Sequence, residues 1–331
     1  MKNTLFLLIV IIILFPGCKE NIPSYKQADI SDIEISTVDI KRYEKDLFPL
    51  RNDSLAHGLD SLKDKYHFFL GDNPTGKKQL IRMKNYLNDP LLIDLYEKSL
   101  QEYPTLEKTE NEITQMLHYF NYYYPQKPIP EVYTYISGID YRNPVQFHDS
   151  VLIIALDMYL GSRLDAYKKV NIPNYKSKYY TDEYIKIDVA KAIGEYFIEP
   201  QRPDGKFIDY IIHYGKLLYF KDALLPDIPD YQKIKYTKKQ LEWCKANEKN
   251  IWAFIVENDL LFSGKYNDFK KLITPGPFTS EFGKQSAPRI GRWIGWQMVR
   301  AYMNESPDEK LRSLMQIQNA REVLRKSKYK P

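Results

Sequence analysis

The chain has 331 residues, 44% of them apolar, with 48 basic and 43 acidic side chains and a net charge of +5. That composition belongs to a globular body with a real core and excludes a disordered chain; no Lys/Arg stripe interleaves with aromatics, which excludes a nucleic-acid groove. The 28 tyrosines each offer a packing ring and one polar end, which suits a mixed core or wet interfaces.

In chain order, Lys2 precedes an uninterrupted apolar run over residues 5–15. The run is far short of the ~20 helical residues that span a bilayer core, so it reads as the hydrophobic stretch of a signal peptide. It ends in Phe15-Pro16-Gly17-Cys18. A small residue before Cys at this place resembles a bacterial lipobox. That resemblance implies a signal peptide over 1–17, cleavage before Cys18 and lipidation of that cysteine. Acyl chains on Cys18 would attach the protein stably to a membrane. Residues 18–30 are polar and unpatterned and read as a tether. The only other sulfhydryl, Cys244, sits in a helical pattern and reads as a small core residue.

The body follows over 31–331. Residues 33–40 (IEISTVDI) alternate apolar and polar and predict an edge strand. Helices are predicted over 77–87, over 90–103 with Pro90 in the first turn, and over 112–124. The period then switches to two: 131–137 (EVYTYIS) reads as a strand, and 151–156 (VLIIAL) as a central strand buried on both faces. From Tyr184 the pattern is helical to the end, over 184–199, 203–220, 237–262, 287–303 and 307–325. The expected architecture is one α+β domain, mostly helical with a small sheet.

The chemistry-bearing motifs are sparse. No two of the five histidines lie three to five residues apart, and no GxSxG elbow, Gly-rich phosphate loop or CxxC occurs. No cofactor is expected. The stretch AKAIGEYFIEP places one carboxylate, Glu195, in an apolar helical frame. Against the H-E-x-x-H frame of zinc peptidases, Glu195 is present, but Gly194 and Ile198 stand at the two ligand positions and Tyr214 where a third ligand would come from a later helix. The plainer reading pairs Glu195 with Lys191 one turn earlier. Asp157, at the end of the 151–156 strand, either caps a turn or pairs with Arg163; facing Glu195, it would make a two-carboxylate acid/base pair of the glycosidase kind. Gly291 and Gly295 share a helix face, which suits close packing. The same segment offers Arg289, Arg292, Trp293 and Trp296 as a wall for a ligand or partner. The turn-rich loop 274–279 precedes it and could overhang a cleft.

Several segments together resemble the gliding motility lipoprotein family GldB of the Bacteroidetes: HDSVLIIALDMYLG from His148, IHYGKLLYFKDALL from Ile212, APRIGRWIGWQMVRAYM from Ala287, and the terminal SKYKP. The family looks like a distant relative of zinc peptidases that has lost its metal ligands. The resemblance implies a zincin-like (metallopeptidase-like) single domain without resident metal. It also implies a lipid-anchored, non-enzymatic component of the gliding and associated secretion machinery that contacts other envelope proteins. Its place would be the cell membrane or outer membrane, facing the periplasm or displayed at the surface. The alternative is an envelope hydrolase for peptide or glycan, using Glu195 with a second acidic residue.

Overall fold

The computed structural model describes residues 23–201 and 205–331; Cys18 and the signal-like segment lie outside them. Four short strands, β1 (Ile40–Arg42), β2 (Glu131–Tyr135), β3 (Val145–His148) and β4 (Val151–Ala155), form one sheet in the order β1-β2-β4-β3. β1, β2 and β4 run parallel, and β3 pairs antiparallel with β4. The apolar run over β4 is central in the sheet and almost wholly buried.

Helices make up most of the rest. Those of nine residues or more are α1 (Lys77–Leu87), α2 (Pro90–Glu102), α3 (Glu107–Tyr123), α4 (Ile185–Phe197), α5 (Phe207–Leu224), α6 (Lys238–Ala246), α7 (Glu248–Glu257) and α8 (Ile290–Glu305). Local chemistry starts them where expected. Asp89 accepts from the Leu91 and Leu92 amides at 2.8 and 3.3 Å, with Pro90 in the first turn of α2. Thr237 and Gln240 form a reciprocal cap on α6. The long helical pattern over 237–262 is two helices, broken at Asn247.

The expected strand over 33–40 forms only at its last residue. The Val38 and Ile40 amides donate to side chains of α3, Thr114 Oγ1 (2.9 Å) and Glu110 Oε1 (3.2 Å), so a helix takes the bonds an edge strand would have used. The tether expected over 18–30 is also shorter than its composition suggests. Tyr25 is buried, its ring edge-on to Tyr219 and beside Lys233 and Arg300.

The core is organised around α5 and α8, which make the most extensive helix contact of the fold. α5 is apolar over most of its circumference, as a helix buried on nearly every side must be. The two backbones meet at glycines. A Cβ on Gly295 would overlap the Ile211 carbonyl of α5, and one on Gly215 would overlap the Gly295 carbonyl. Gly291 is also close-packed, against Phe207 and the Leu272 carbonyl. Ion pairs then lock the crossing: Arg300 of α8 holds Asp222 of α5 through Nε at 2.8 Å, and Asp230, just beyond α5, through Nη1 at 2.7 Å. Lys233 Nζ and Trp296 Nε1 complete the shell of Asp222 at 2.9 and 2.8 Å.

Gly295→Ala should therefore lower the unfolding free energy by at least ~3 kcal/mol, since no flexible side chain can yield to the added methyl. Gly264→Ala, whose Cβ would meet open space, should change it by less than ~1 kcal/mol. Urea denaturation of both variants checks this; equal midpoints would show that the crossing tolerates separation.

Candidate functional site

Between α4, α5, the start of α8 and the loops at 141–144, 175–180, 233–235 and 275–277 lies a cleft of about 300 Å³. Each wall has a local cause. α4 contributes Asp188, Lys191 and Glu195, spaced three and four apart and so on one helix face. α5 contributes Tyr214, Leu217, Leu218 and Lys221. Pro288, Arg289 and Arg292 come from the entry to α8, where Arg289 takes a left-handed conformation (φ 56°) as the last residue before the helix. The loop 274–279 does border the cleft, through Pro275, Gly276 and Pro277, and Gln240 Nε2 donates to the Pro277 carbonyl at 3.2 Å.

The lining is strongly one-signed, with nine basic side chains against two carboxylates. Both carboxylates are taken. Glu195 is half-exposed and pairs with Lys191 at 2.8 Å, one helical turn away. Asp188 is buried, pairs with Lys235 at 2.6 Å and accepts from the Tyr159 hydroxyl at 2.9 Å. Burial pushes the Asp188 carboxyl up, but Lys235, with the charges of Lys221 and Lys191, offsets this and holds it below the usual range.

The cations are arranged differently. Arg289 donates from Nη2 to the carbonyls of Ile234 (2.9 Å) and Lys235 (3.2 Å), and its Nε is buried without a partner. Arg292 donates from Nε to the Ile273 carbonyl at 2.7 Å and stacks 3.7 Å over the Tyr214 ring. Burial, then the nearby Arg289 charge, pulls Arg292 down to about 10. Burial and Arg289 also lower Lys178, which lies over the Tyr179 ring. Lys221 is buried, donates to the Lys233 carbonyl at 3.0 Å, and is brought down to about 7 by burial and then by the Lys235 charge.

The residues singled out in the sequence distribute unevenly over this site. Glu195 and Tyr214 line the cleft, whereas Gly194 packs on Phe220 and Leu217, and Ile198 is buried at the end of α4. Arg289 and Arg292 line it, but Trp293 and Trp296 are buried at 2% and 0% exposure and present no wall or partner face. They follow the glycines into the α5–α8 contact. Asp157 is not at the cleft. It accepts from the Ser137 amide and hydroxyl (2.8 and 2.9 Å) and the Ile139 amide (2.7 Å), so it caps the loop after β2, and Arg163 is not its partner. Burial raises its carboxyl against those bonds. His213 faces a separate cavity with Glu199 and Lys216, and burial lowers it to about 4. His148 stands at the edge of the sheet beside Phe68. Cys244 is buried and burial pushes its thiol up to about 12. Among the described residues no group of three His, Cys, Asp or Glu is placed to hold a metal ion. The lysines at 176, 178, 191, 221 and 235 carry no signal of a site in the sequence, where each is an ordinary surface-type residue; only the fold gathers them.

A model of the gliding motility protein GldB family matches residues 24–331. The chain belongs to that family. Membership implies a part in gliding motility and marks the chain as one of a lipoprotein family. Neither the curated proteins nor the solved structures contain a match. No helix among the described residues is long and apolar enough to cross a membrane.

Lys221 carries a pH prediction. Its folded value lies below its unfolded one, so the unfolded chain binds the extra proton between about pH 7 and 10 and stability rises with pH across that window. Lys216, brought down to about 8 by burial, adds to the same rise. Lys221→Met should raise stability at pH 7 and flatten the slope; urea midpoints at pH 7, 8 and 9 check it, and an unchanged slope would contradict the assignment.

Proposed function

We propose that this GldB-family chain is a lipid-anchored, non-enzymatic component of the gliding and associated secretion machinery, attached through Cys18, facing the periplasm and acting by holding partners in the envelope. What carries the reading is the state of the cleft's two carboxylates. The hydrolase alternative needs a free carboxylate as its base, and here Glu195 and Asp188 are each occupied by a lysine. Gly194, Ile198 and Tyr214 supply no imidazole, thiolate or carboxylate at the positions a zinc peptidase would use, so the donor set does not fit that metal and no step is routed through it. On this view the Glu195 helix is the remnant of a metallopeptidase-like frame. The family match supports the motility assignment, and the lipobox-like Gly17-Cys18 supports the anchor.

Two cell-based variants separate this reading from the hydrolase one. Glu195→Gln keeps the shape and the hydrogen-bonding capacity of the side chain but cannot act as a base. Cells carrying it should glide normally, and loss of gliding with normal protein abundance would favour the hydrolase. Cys18→Ser should move the protein from the membrane to the soluble fraction and abolish gliding; a variant that still fractionates with the membrane as the parent chain does would contradict the anchor.

A further inference from the structure

The cleft's charge is unbalanced in a way the network around Asp222 is not. Around Asp222, two buried cations (Lys233 and Arg300) meet two carboxylates (Asp222 and Asp230), and the charges cancel. In the cleft, once Lys191–Glu195 and Lys235–Asp188 are paired, Arg142, Lys176, Lys178, Arg289 and Arg292 have no carboxylate within 4 Å among the described residues. Like charges gathered in a partly enclosed space repel, more strongly than in water. The repulsion registers in the lowered values of Lys178 and Arg292, for each of which Arg289 is the second cause after burial. Nothing in the fold requires this: the side chains at 142, 176 and 178 sit on loops and short helices that could carry any polar residue. The arrangement makes sense when an anion supplies the missing charge.

The size and the walls narrow the anion. A cavity of about 300 Å³ is at the small end of ligand pockets and too small for an extended run of acidic residues. A single carboxylate would leave most of the cations unmatched. A phosphate or pyrophosphate group concentrates two or more charges and several acceptor oxygens in a small volume, and guanidinium and ammonium groups together are its usual donors. Arg289 brings a buried Nε with no acceptor among the described residues. Beside the cations stand Tyr141, Tyr179, Tyr180, Leu217 and Pro277, a flank suited to the organic part of an ester.

We propose that this cleft is a binding site for a phosphate or pyrophosphate ester, with Arg289, Arg292 and Lys178 on the phosphoryl oxygens and the tyrosine flank on the organic moiety. The ester is either a soluble compound or the headgroup of a lipid, which a membrane-attached protein would meet at high local concentration.

The test uses the full lipidated chain in a neutral detergent, titrated calorimetrically with inorganic pyrophosphate at fixed ionic strength. Saturable binding is expected, weakened at least ~10-fold by Arg289→Ala/Arg292→Ala. Because those arginines also hold backbone carbonyls, the rim variant Arg142→Glu/Lys176→Glu is measured beside it; both side chains are exposed or half-exposed and bind no carbonyl in the fold, so it should stay folded and also lose affinity ~10-fold. Titration of the same detergent-held chain with micelles containing short-chain phosphatidylcholine or short-chain phosphatidic acid separates the sources. Binding of phosphatidic acid that pyrophosphate competes away identifies a headgroup; pyrophosphate binding without phosphatidic acid binding identifies a soluble ester. The proposal is overturned if pyrophosphate does not bind, if the rim variant binds it unchanged, or if an oligo-glutamate peptide binds more tightly than pyrophosphate.

Discussion

α5 and α8 cross with their backbones in direct contact, and glycine is the only residue that fits at Gly215 and Gly295. From that contact follows the position of everything on α8. At its C-terminal half Arg300 reaches Asp222 and Asp230. One turn earlier Trp296 is pressed into the same buried network. At its N-terminal end Arg289 and Arg292 are carried to the mouth of the cleft and fixed there by carbonyls of Ile234, Lys235 and Ile273. A close helix crossing thus converts two glycines in the sequence into a rigid presentation of two guanidinium groups.

The molecule handles buried charge in two opposite ways. Around Asp222 it pairs every cation with a carboxylate, which is what burial demands if the charges are not to be strongly destabilising. In the cleft it does the reverse and leaves cations to one another, with Lys221 so enclosed that its ammonium is brought near neutrality. A cost left standing at a concave surface is the usual physical mark of a place where something else binds. The cleft's two carboxylates do not balance this charge, because each is held by its own lysine.

Much of the fold is legible in the sequence for simple reasons. Helix starts carry their own caps at Asp89-Pro90 and at Thr237 with Gln240, and the unbroken apolar run at 151–156 suits a strand buried on both sides. What is not legible depends on partners distant in sequence. The alternation at 33–40 is real, yet Thr114 and Glu110 of α3 take its amides. β3 is only four residues long, its buried Val145 and Phe147 alternating with Gln146 and His148, and it closes on β4 by a tight turn in which Asp149 takes φ 52°. The Lys191 partner of Glu195 is readable from helical spacing alone, because both ends of the pair lie on one helix. Trp293 and Trp296 read as a wall because aromatic pairs mark both cores and surfaces; only the crossing at Gly295 decides that they point inward. The basic cleft itself leaves no trace in the sequence, since its lysines and arginines come from six separate stretches of chain.

The most direct test of the account is crystallography of the protein grown with pyrophosphate in one crystal and with zinc, free of pyrophosphate, in another, with anomalous scattering recorded at the zinc edge on the second. The account predicts pyrophosphate density within hydrogen-bonding distance of the Arg289 and Arg292 guanidinium groups and no zinc peak beside Glu195. A zinc ion bound to the Glu195 carboxylate in the second crystal, with the arginine end of the cleft empty in the first, would contradict it.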